Sequence, residues 1–159
     1  MLRQLALTDM GAAAQVHRAA FDHAMPWLVG LHTPDEDRWF YREHVLATCR
    51  VWGRFDADVL SGIIAFRDGW IEQLYVLPAV QGRGFGTELL DVAKQASERL
   101  ELWTFQCNAL ARRFYEARGF TLIEQTNGAR NSTNGNPTLK TTIAVMKALG
   151  IELTAKPHV

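Results

Sequence analysis

Residues 77–100 read LPAVQGRGFGTELLDVAKQASERL, a glycine-rich loop that leads into a helix with apolar or small residues at Leu89, Leu90, Ala93, Ala96 and Leu100. Within it, Gln81-Gly82-Arg83-Gly84-Phe85-Gly86-Thr87 places glycine at alternate positions, where the backbone can approach a ligand closely and adopt φ values closed to other residues. Amides just ahead of a helix, at the positive end of its dipole, favour an anion, and Arg83 adds a formal charge that a pyrophosphate can use. Two other phosphate loops fit worse. A dinucleotide fingerprint needs G-x-G-x-x-G with an acidic residue about 20 positions on, and a Walker A loop needs Gly-Lys-Ser/Thr, which is absent.

Working outward, the spacing predicts an antiparallel meander just upstream. Its strands are Val51 to Phe55, Val59 to Phe66 and Trp70 to Val76, with turns at Asp56-Ala57-Asp58 and Asp68-Gly69. Before it, Thr33-Pro34-Asp35-Glu36 combines a Thr N-cap, Pro at the first helical position and Glu three residues after the cap, so a helix starts there and runs to about Ala47. Leu2 to Ala6 reads as a short strand. Thr8 reads as an N-cap of a helix whose period is set by Ala12, Val16, Ala19 and Ala20 and which reaches about His23.

Downstream, Leu102 to Phe105 reads as a short buried strand, Asn108 as the cap of a helix through Arg118, Gly119 as its C′ residue and Phe120 to Glu124 as extended. Thr126 to Pro137 is a long polar loop, Leu139 to Met146 a last strand, and the tail beyond it has no assignable element. The expected class is α+β, a mostly antiparallel twisted sheet of about six to seven strands with a parallel step across the third helix, flanked by about four helices. Residues 1–147 are expected to form a single domain and 148–159 a C-terminal tail.

At 159 residues the chain suits one domain, and 48% hydrophobic with 21% charged residues is globular composition. Seventeen basic residues balance seventeen acidic ones, so no overall field draws it to nucleic acid or an anionic membrane. No apolar run approaches the roughly 20 residues a bilayer span needs, and MLRQLALTDM lacks the apolar stretch of a signal peptide, so a cytoplasmic location is expected. Cys49 and Cys107 lie far apart without metal-ligand spacing and read as ordinary thiols; no metal site is expected.

LYVLPAVQGRGFGTELL (74–90) resembles the acetyl-CoA-binding segment of GNAT N-acetyltransferases, whose Q/R-x-x-G-x-G/A signature is matched by Gln81, Gly84 and Gly86. NALARRFYEARGF (108–120) resembles the family's second signature through Asn108, Tyr115, Gly119 and Phe120. HTPDEDRWF (32–40) and LWTFQCN (102–108) are similar to a group of bacterial GNAT proteins without an assigned substrate. The resemblance implies a GNAT-like fold, acetyl-CoA as cofactor and direct acetyl transfer in a ternary complex to a primary amine of a small molecule or peptide. It also implies that backbone groups of Leu74, Tyr75 and Val76 pair with the acetyl and pantetheine parts. Gln81, Gly82, Arg83, Gly84, Phe85, Gly86 and Thr87 would wrap the pyrophosphate, Asn108 would hold the pantetheine arm, and Tyr115 would stand beside the sulfur. A homodimer through C-terminal strands is a further implication.

Amine acetylation needs loss of an ammonium proton, a polarised thioester carbonyl and a protonated leaving thiolate. Tyr115, on a helix whose inner face is read as Leu110, Phe114 and Ala117, lies one step off that face, and its hydroxyl is expected to reach a cleft as general acid, a packed aromatic being the other reading. A backbone N–H near Val76 would polarise the carbonyl, by the resemblance. Glu72 is placed in register with Trp70, Leu74 and Val76, where a raised pKa would suit it as general base; a carboxylate satisfied by neighbours, with ordered water as base, is the other reading. Trp27, His32, Asp35, Glu36 and Trp39 are candidates for acceptor selection, although core packing is the simpler role for the tryptophans and surface cap positions the simpler one for His32 and Asp35. A non-catalytic acyl-CoA-binding module is the alternative function.

Overall fold

The structure, a computed structural model, describes residues 1–125, 138–148 and 151–154. The chain divides into two compact units, Met1–Arg67 with Ile71–Gln95, and Asp68–Trp70 with Ala96–Val159.

The first unit carries β1 (Leu2–Gln4), β2 (Arg50–Asp56), β3 (Val59–Arg67) and β4 (Trp70–Val76) as successive neighbours, with β1–β2 and β2–β3 antiparallel. β3 is buried along its whole interior, which explains why VLSGIIAF carries no polar alternation. One face, through Ile63 and Ala65, packs on Met10, Ala13 and Val16 of α1 (Met10–Ala24) and on Tyr41 and Val45. On the other face Gly62 lies under α4 (Phe85–Ala96): a Cβ there would stand 2.9 Å from Leu89 Cδ1. Only glycine lets that helix side chain come so close to the strand.

The capping box forms as read. Thr33 Oγ1 accepts from the Glu36 N–H at 3.1 Å, and the Thr33 N–H donates to Glu36 Oε1 at 2.9 Å. α2 (Pro34–Phe40) then widens into a π-helical segment, Tyr41–Val45, and closes as α3 (Leu46–Thr48). At the first helix the reading needs correction. Thr8 lies inside a 3₁₀ turn, Leu7–Asp9, and Asp9 takes the N-cap position of α1 without a side-chain bond to that helix; its carboxylate accepts from the Ala6 N–H at 2.8 Å, ahead of the turn, and pairs with Arg3. Ala12 and Ala19 are exposed, and the inner stripe is instead Met10, Ala13, Ala14, Val16, Ala20 and Phe21.

That stripe brings His17 towards the sheet. Its Nδ1 lies 2.7 Å from the Tyr41 hydroxyl, and its ring lies 4.3 Å, centroid to centroid, from that of Tyr75 on β4. Beside it Arg18 clamps Asp37 with two hydrogen bonds of 2.8 Å. Burial, with the adjacent Arg18 charge assisting, pushes the His17 pKa down to about 3, against a smaller opposing pull from Asp37.

In the second unit β5 (Arg99–Phe105) pairs antiparallel with β7 (Thr138–Ala148), β7 pairs antiparallel with β6 (Thr121–Gln125), and β8 (Ile151–Thr154) pairs antiparallel with β7. Trp70 pairs with Glu101 in parallel, the step expected across the third helix. The fold is a mixed α+β sheet, mostly antiparallel. β5 begins three residues earlier than read because the helix before it stops at Ala96: Ser97 leaves the helix, accepting from the Gly69 N–H at 3.0 Å through its hydroxyl. β8 lies in the tail that had no assigned element, so the described strands number eight. α5 (Ala109–Ala117) ends in a Schellman motif. Gly119 at φ 89° brings its N–H to Glu116 O at 3.1 Å and the Phe120 N–H to Tyr115 O at 3.0 Å. The polar stretch Thr126 to Pro137 lies outside the described residues, and no described helix is long and apolar enough to cross a membrane.

Two outcomes follow. Thr33→Ala should lower unfolding free energy by about 1 kcal/mol with an unchanged denaturant slope; an unchanged urea midpoint would remove the cap's role. Because the folded His17 pKa lies below its ordinary 6.5, the folded state binds fewer protons than the unfolded one. Its contribution is therefore complete above pH 6.5 and is lost as pH falls from there towards 3, by up to about 1.4 kcal/mol per pH unit. Urea titrations at stepped pH should show a shallower acid decline in His17→Gln, and equal declines would contradict the burial of a neutral imidazole.

Candidate functional site

The read site residues fall into two groups, one in each unit. In the first, β4 hands over to the glycine loop through a short chain of contacts. The Leu77 N–H donates to Ser61 O at 2.8 Å, Pro78–Val80 form a 3₁₀ turn, and Gln81 Nε2 donates to Val76 O at 3.0 Å. Gly82 and Gly84 then take φ of 81° and 86°, the left-handed region where a side chain is strained, and nothing lies within 4 Å of a Cβ built on either. Left-handed residues of this kind are the backbone conformations from which anion-binding nests are built.

The helix begins earlier than a plain loop-then-helix reading places it. Phe85, Gly86 and Thr87 already form the first turn of α4, and its first ladder bond runs from the Glu88 N–H to Gly84 O at 3.0 Å. The amides of Phe85 and Gly86 precede that bond and so stand outside the helical ladder. Phe85 is buried at 3% exposure and anchors the turn. Arg54 lies over its ring at 4.0 Å and bonds Glu88, while Arg83 lies over it at 4.9 Å and donates to Asp56 Oδ2 at 3.0 Å.

On β4 the strict alternation assumed for Glu72 fails. Tyr75 and Leu77 pack with the cluster under α1, while Val76 Cγ2 lies on the α4 side near Gly62. Glu72, three residues before Tyr75, nevertheless reaches Cys49 of that same cluster, 3.2 Å from its Oε2. Two residues an odd number apart that meet one cluster depart from the two-residue alternation of a regular strand. Glu72 therefore does not share the face of Val76.

Both oxygens of Glu72 are engaged: Oε1 lies 2.8 Å from His44 Nε2, and Oε2 accepts from Arg67 Nη1 at 2.5 Å as well as from the Cys49 thiol. Burial pushes its pKa up, but the hydrogen bonds from His44 and Cys49 and the charges of His44 and Arg67 together outweigh it, and the carboxyl ends below its ordinary value. The expected rise is thus overturned. Burial pushes the Cys49 thiol up. Cys49 is buried and Cys107 exposed.

Trp27 and Trp39 are each 60% exposed, so core packing is not their role; in the Pro26–Leu28 turn Leu28 takes the buried place. His32 lies 3.7 Å from Glu36, and Asp35 pairs with Arg38, all at the surface around the α2 cap.

In the second unit Asn108 Oδ1 accepts from the Ala111 N–H at 3.1 Å and caps α5, leaving its amide nitrogen for another acceptor. The face reading for this helix is overturned. Leu110 is 44% exposed and Ala117 is exposed, whereas Tyr115 is buried at 7%, edge-on to Phe114 and Phe120 at 5.2 and 5.1 Å. The Phe120 contact belongs to the Schellman motif, which pairs side chains across the helix end, and this draws Tyr115 inward. Sequence reasoning missed His17, Tyr41, His44, Arg18 and Asp37. For His17 the signal was present as the phase of α1, one residue away from the stripe chosen.

Comparison with known proteins bears on the fold and the family. The profile of the Acetyltransferase (GNAT) family matches residues 3–120. The peptidyl-lysine N-acetyltransferase YiaC of Escherichia coli (strain K12) is 29% identical over 84 residues, which cover 52% of this chain and 58% of YiaC. Among solved structures, the apo form of YjaB from Escherichia coli superposes with a TM-score of 0.76 at 18% identity, covering 89% of this chain and 95% of YjaB. YncA from Salmonella typhimurium, solved with its cofactor acetyl-CoA, superposes with a TM-score of 0.67 at 20% identity, covering 91% and 92%. Identities this low carry the fold alone. With a profile match across most of its length, the chain belongs to the GNAT acetyltransferase family.

Proposed function

We propose that the chain takes an acetyl group from acetyl-CoA and transfers it directly to a primary amine, of a small molecule or a peptide, in a ternary complex. The observation that carries the reading is the pair of left-handed glycines, Gly82 and Gly84, open on their Cβ side and leading into the first turn of α4. Such a cradle fits a diphosphate, whose oxygens accept from main-chain amides that no side chain obstructs. The family membership and the acetyl-CoA held by YncA support the same cofactor. Acetyl-CoA supplies an activated thioester, and the remaining tasks fall to this chain. Residues 1–147 are read as one acetyltransferase domain.

Gln81, Gly82, Arg83, Gly84, Phe85, Gly86 and Thr87 would hold the pyrophosphate. Main-chain groups of Leu74, Tyr75 and Val76 would hold the acetyl and pantetheine parts, as the family resemblance implies. Asn108 would hold the arm through the side-chain nitrogen its cap role leaves over, and Tyr115 would protonate the departing thiolate. Glu72 is the harder assignment, because a carboxylate tied to His44, Arg67 and Cys49 is poorly placed to take a proton. Its engagement supports ordered water as the base, with Glu72 holding the surrounding side chains. A peptide lysine is one acceptor within this class, as the name of YiaC suggests. The same engagement favours the second reading, an acyl-CoA-binding module without turnover. Release of free thiol above the buffer rate with any amine in a panel would exclude that reading.

Calorimetric titration with acetyl-CoA should show saturable binding, and Gly84→Val should abolish it while the far-ultraviolet dichroism is kept; no binding to the parent at millimolar cofactor would end the reading. Once an acceptor is found, Tyr115→Phe should lower kcat about 100-fold or more and leave the acetyl-CoA affinity within about twofold, less than 0.5 kcal/mol. Equal turnover in variant and parent would remove the general-acid role.

A further inference from the structure

Arg83, at the centre of the glycine loop, meets a carboxylate from another part of the first unit. Its Nη1 donates to Oδ2 of Asp56, the last residue of β2, at 3.0 Å. A second guanidinium sits at the same helix start: Arg54 lies over the Phe85 ring with Arg83 and bonds Glu88 Oε2 at 2.8 Å. The two pairs differ in how readily they can be exchanged. The Arg54 side chain is 19% exposed and also donates to the Phe55 carbonyl, so it is held from two directions. The Arg83 and Asp56 side chains are 53% and 42% exposed and share one hydrogen bond.

We propose that Asp56 is an exchangeable counterion of the loop, which gives up Arg83 to a phosphate of the coenzyme and thereby sets coenzyme affinity and part of its salt dependence. This rests on the coenzyme reading above. An exposed ion pair of this kind is weak, whereas a phosphate accepts charge-assisted and often bidentate hydrogen bonds from arginine and is further favoured by the helix dipole. The exchange therefore runs towards the phosphate, and the residual effect of Asp56 is opposition: its carboxylate competes for Arg83 and repels the incoming anion. A positioning role would need a tighter hold on Arg83 than one hydrogen bond between two half-exposed side chains provides.

A double-mutant cycle read by calorimetry with coenzyme A, at low and at high ionic strength, tests this. Asp56→Asn should bind coenzyme A about two- to fivefold tighter than the parent at low ionic strength, with a smaller gain at high ionic strength. In an Arg83→Gln background the same substitution should lose most of its gain. Asp58→Asn, which removes an equal charge two residues away, should give a clearly smaller gain than Asp56→Asn. Affinity in Asp56→Asn that is unchanged or weaker, an undiminished gain without Arg83, or an equal gain from Asp58→Asn would each overturn the exchange. A parent that binds no coenzyme A overturns the functional reading and this proposal with it; a parent that binds while Asp56→Asn gains nothing overturns this proposal alone.

Discussion

Everything proposed for this chain depends on main-chain amides being presented at the start of α4 with nothing in front of them. Side chains cannot do this work at that spacing, because each would stand where the anion must go. Glycine at 82 and 84, at φ of 81° and 86°, bends the chain into the left-handed region twice within three residues. The turn is then held from below rather than from within: Phe85 is buried, Leu89 is seated over Gly62, and Gln81 ties the loop to the Val76 carbonyl at 3.0 Å. A small residue on a central strand and two on a loop are thus parts of one arrangement. One lets the helix lie close to β3, and the others let its N-terminus stay open.

The second constraint is in β4. A strand with a regular pleat would have put Glu72 and Val76 on one face, as a simple count implies. Instead the two-residue alternation is broken, and Glu72 turns to the face of Tyr75, where His44, Arg67 and Cys49 meet it. Held there by those three side chains, the Glu72 carboxylate is poorly placed to serve as a base.

What could be read from the residues alone divides along physical lines. Local chemistry was legible: the Thr33–Glu36 capping box, the Gly119 helix end, the Asn108 cap and the glycine loop all depend on neighbours within a few positions, and each was found where the spacing put it. Facing was not. The phase of α1 was misjudged because its alanines are compatible with several stripes, and the face of α5 because the Schellman contact with Phe120 pulls Tyr115 in and leaves Leu110 out. The pKa direction of Glu72 depended on partners 28, 23 and 5 residues away in sequence, which no local pattern announces. Trp27 and Trp39 failed the usual rule that large aromatics are buried, each being 60% exposed.

The most direct test is residue-resolved. In an amide correlation spectrum titrated with acetyl-CoA, the N–H resonances of Gly82, Gly84, Phe85 and Gly86 should move furthest and saturate together, because a diphosphate accepting their protons deshields them at once. Saturable shifts elsewhere in the chain while these four resonances stay in place would contradict the account, since the coenzyme would then be held by something other than the start of α4.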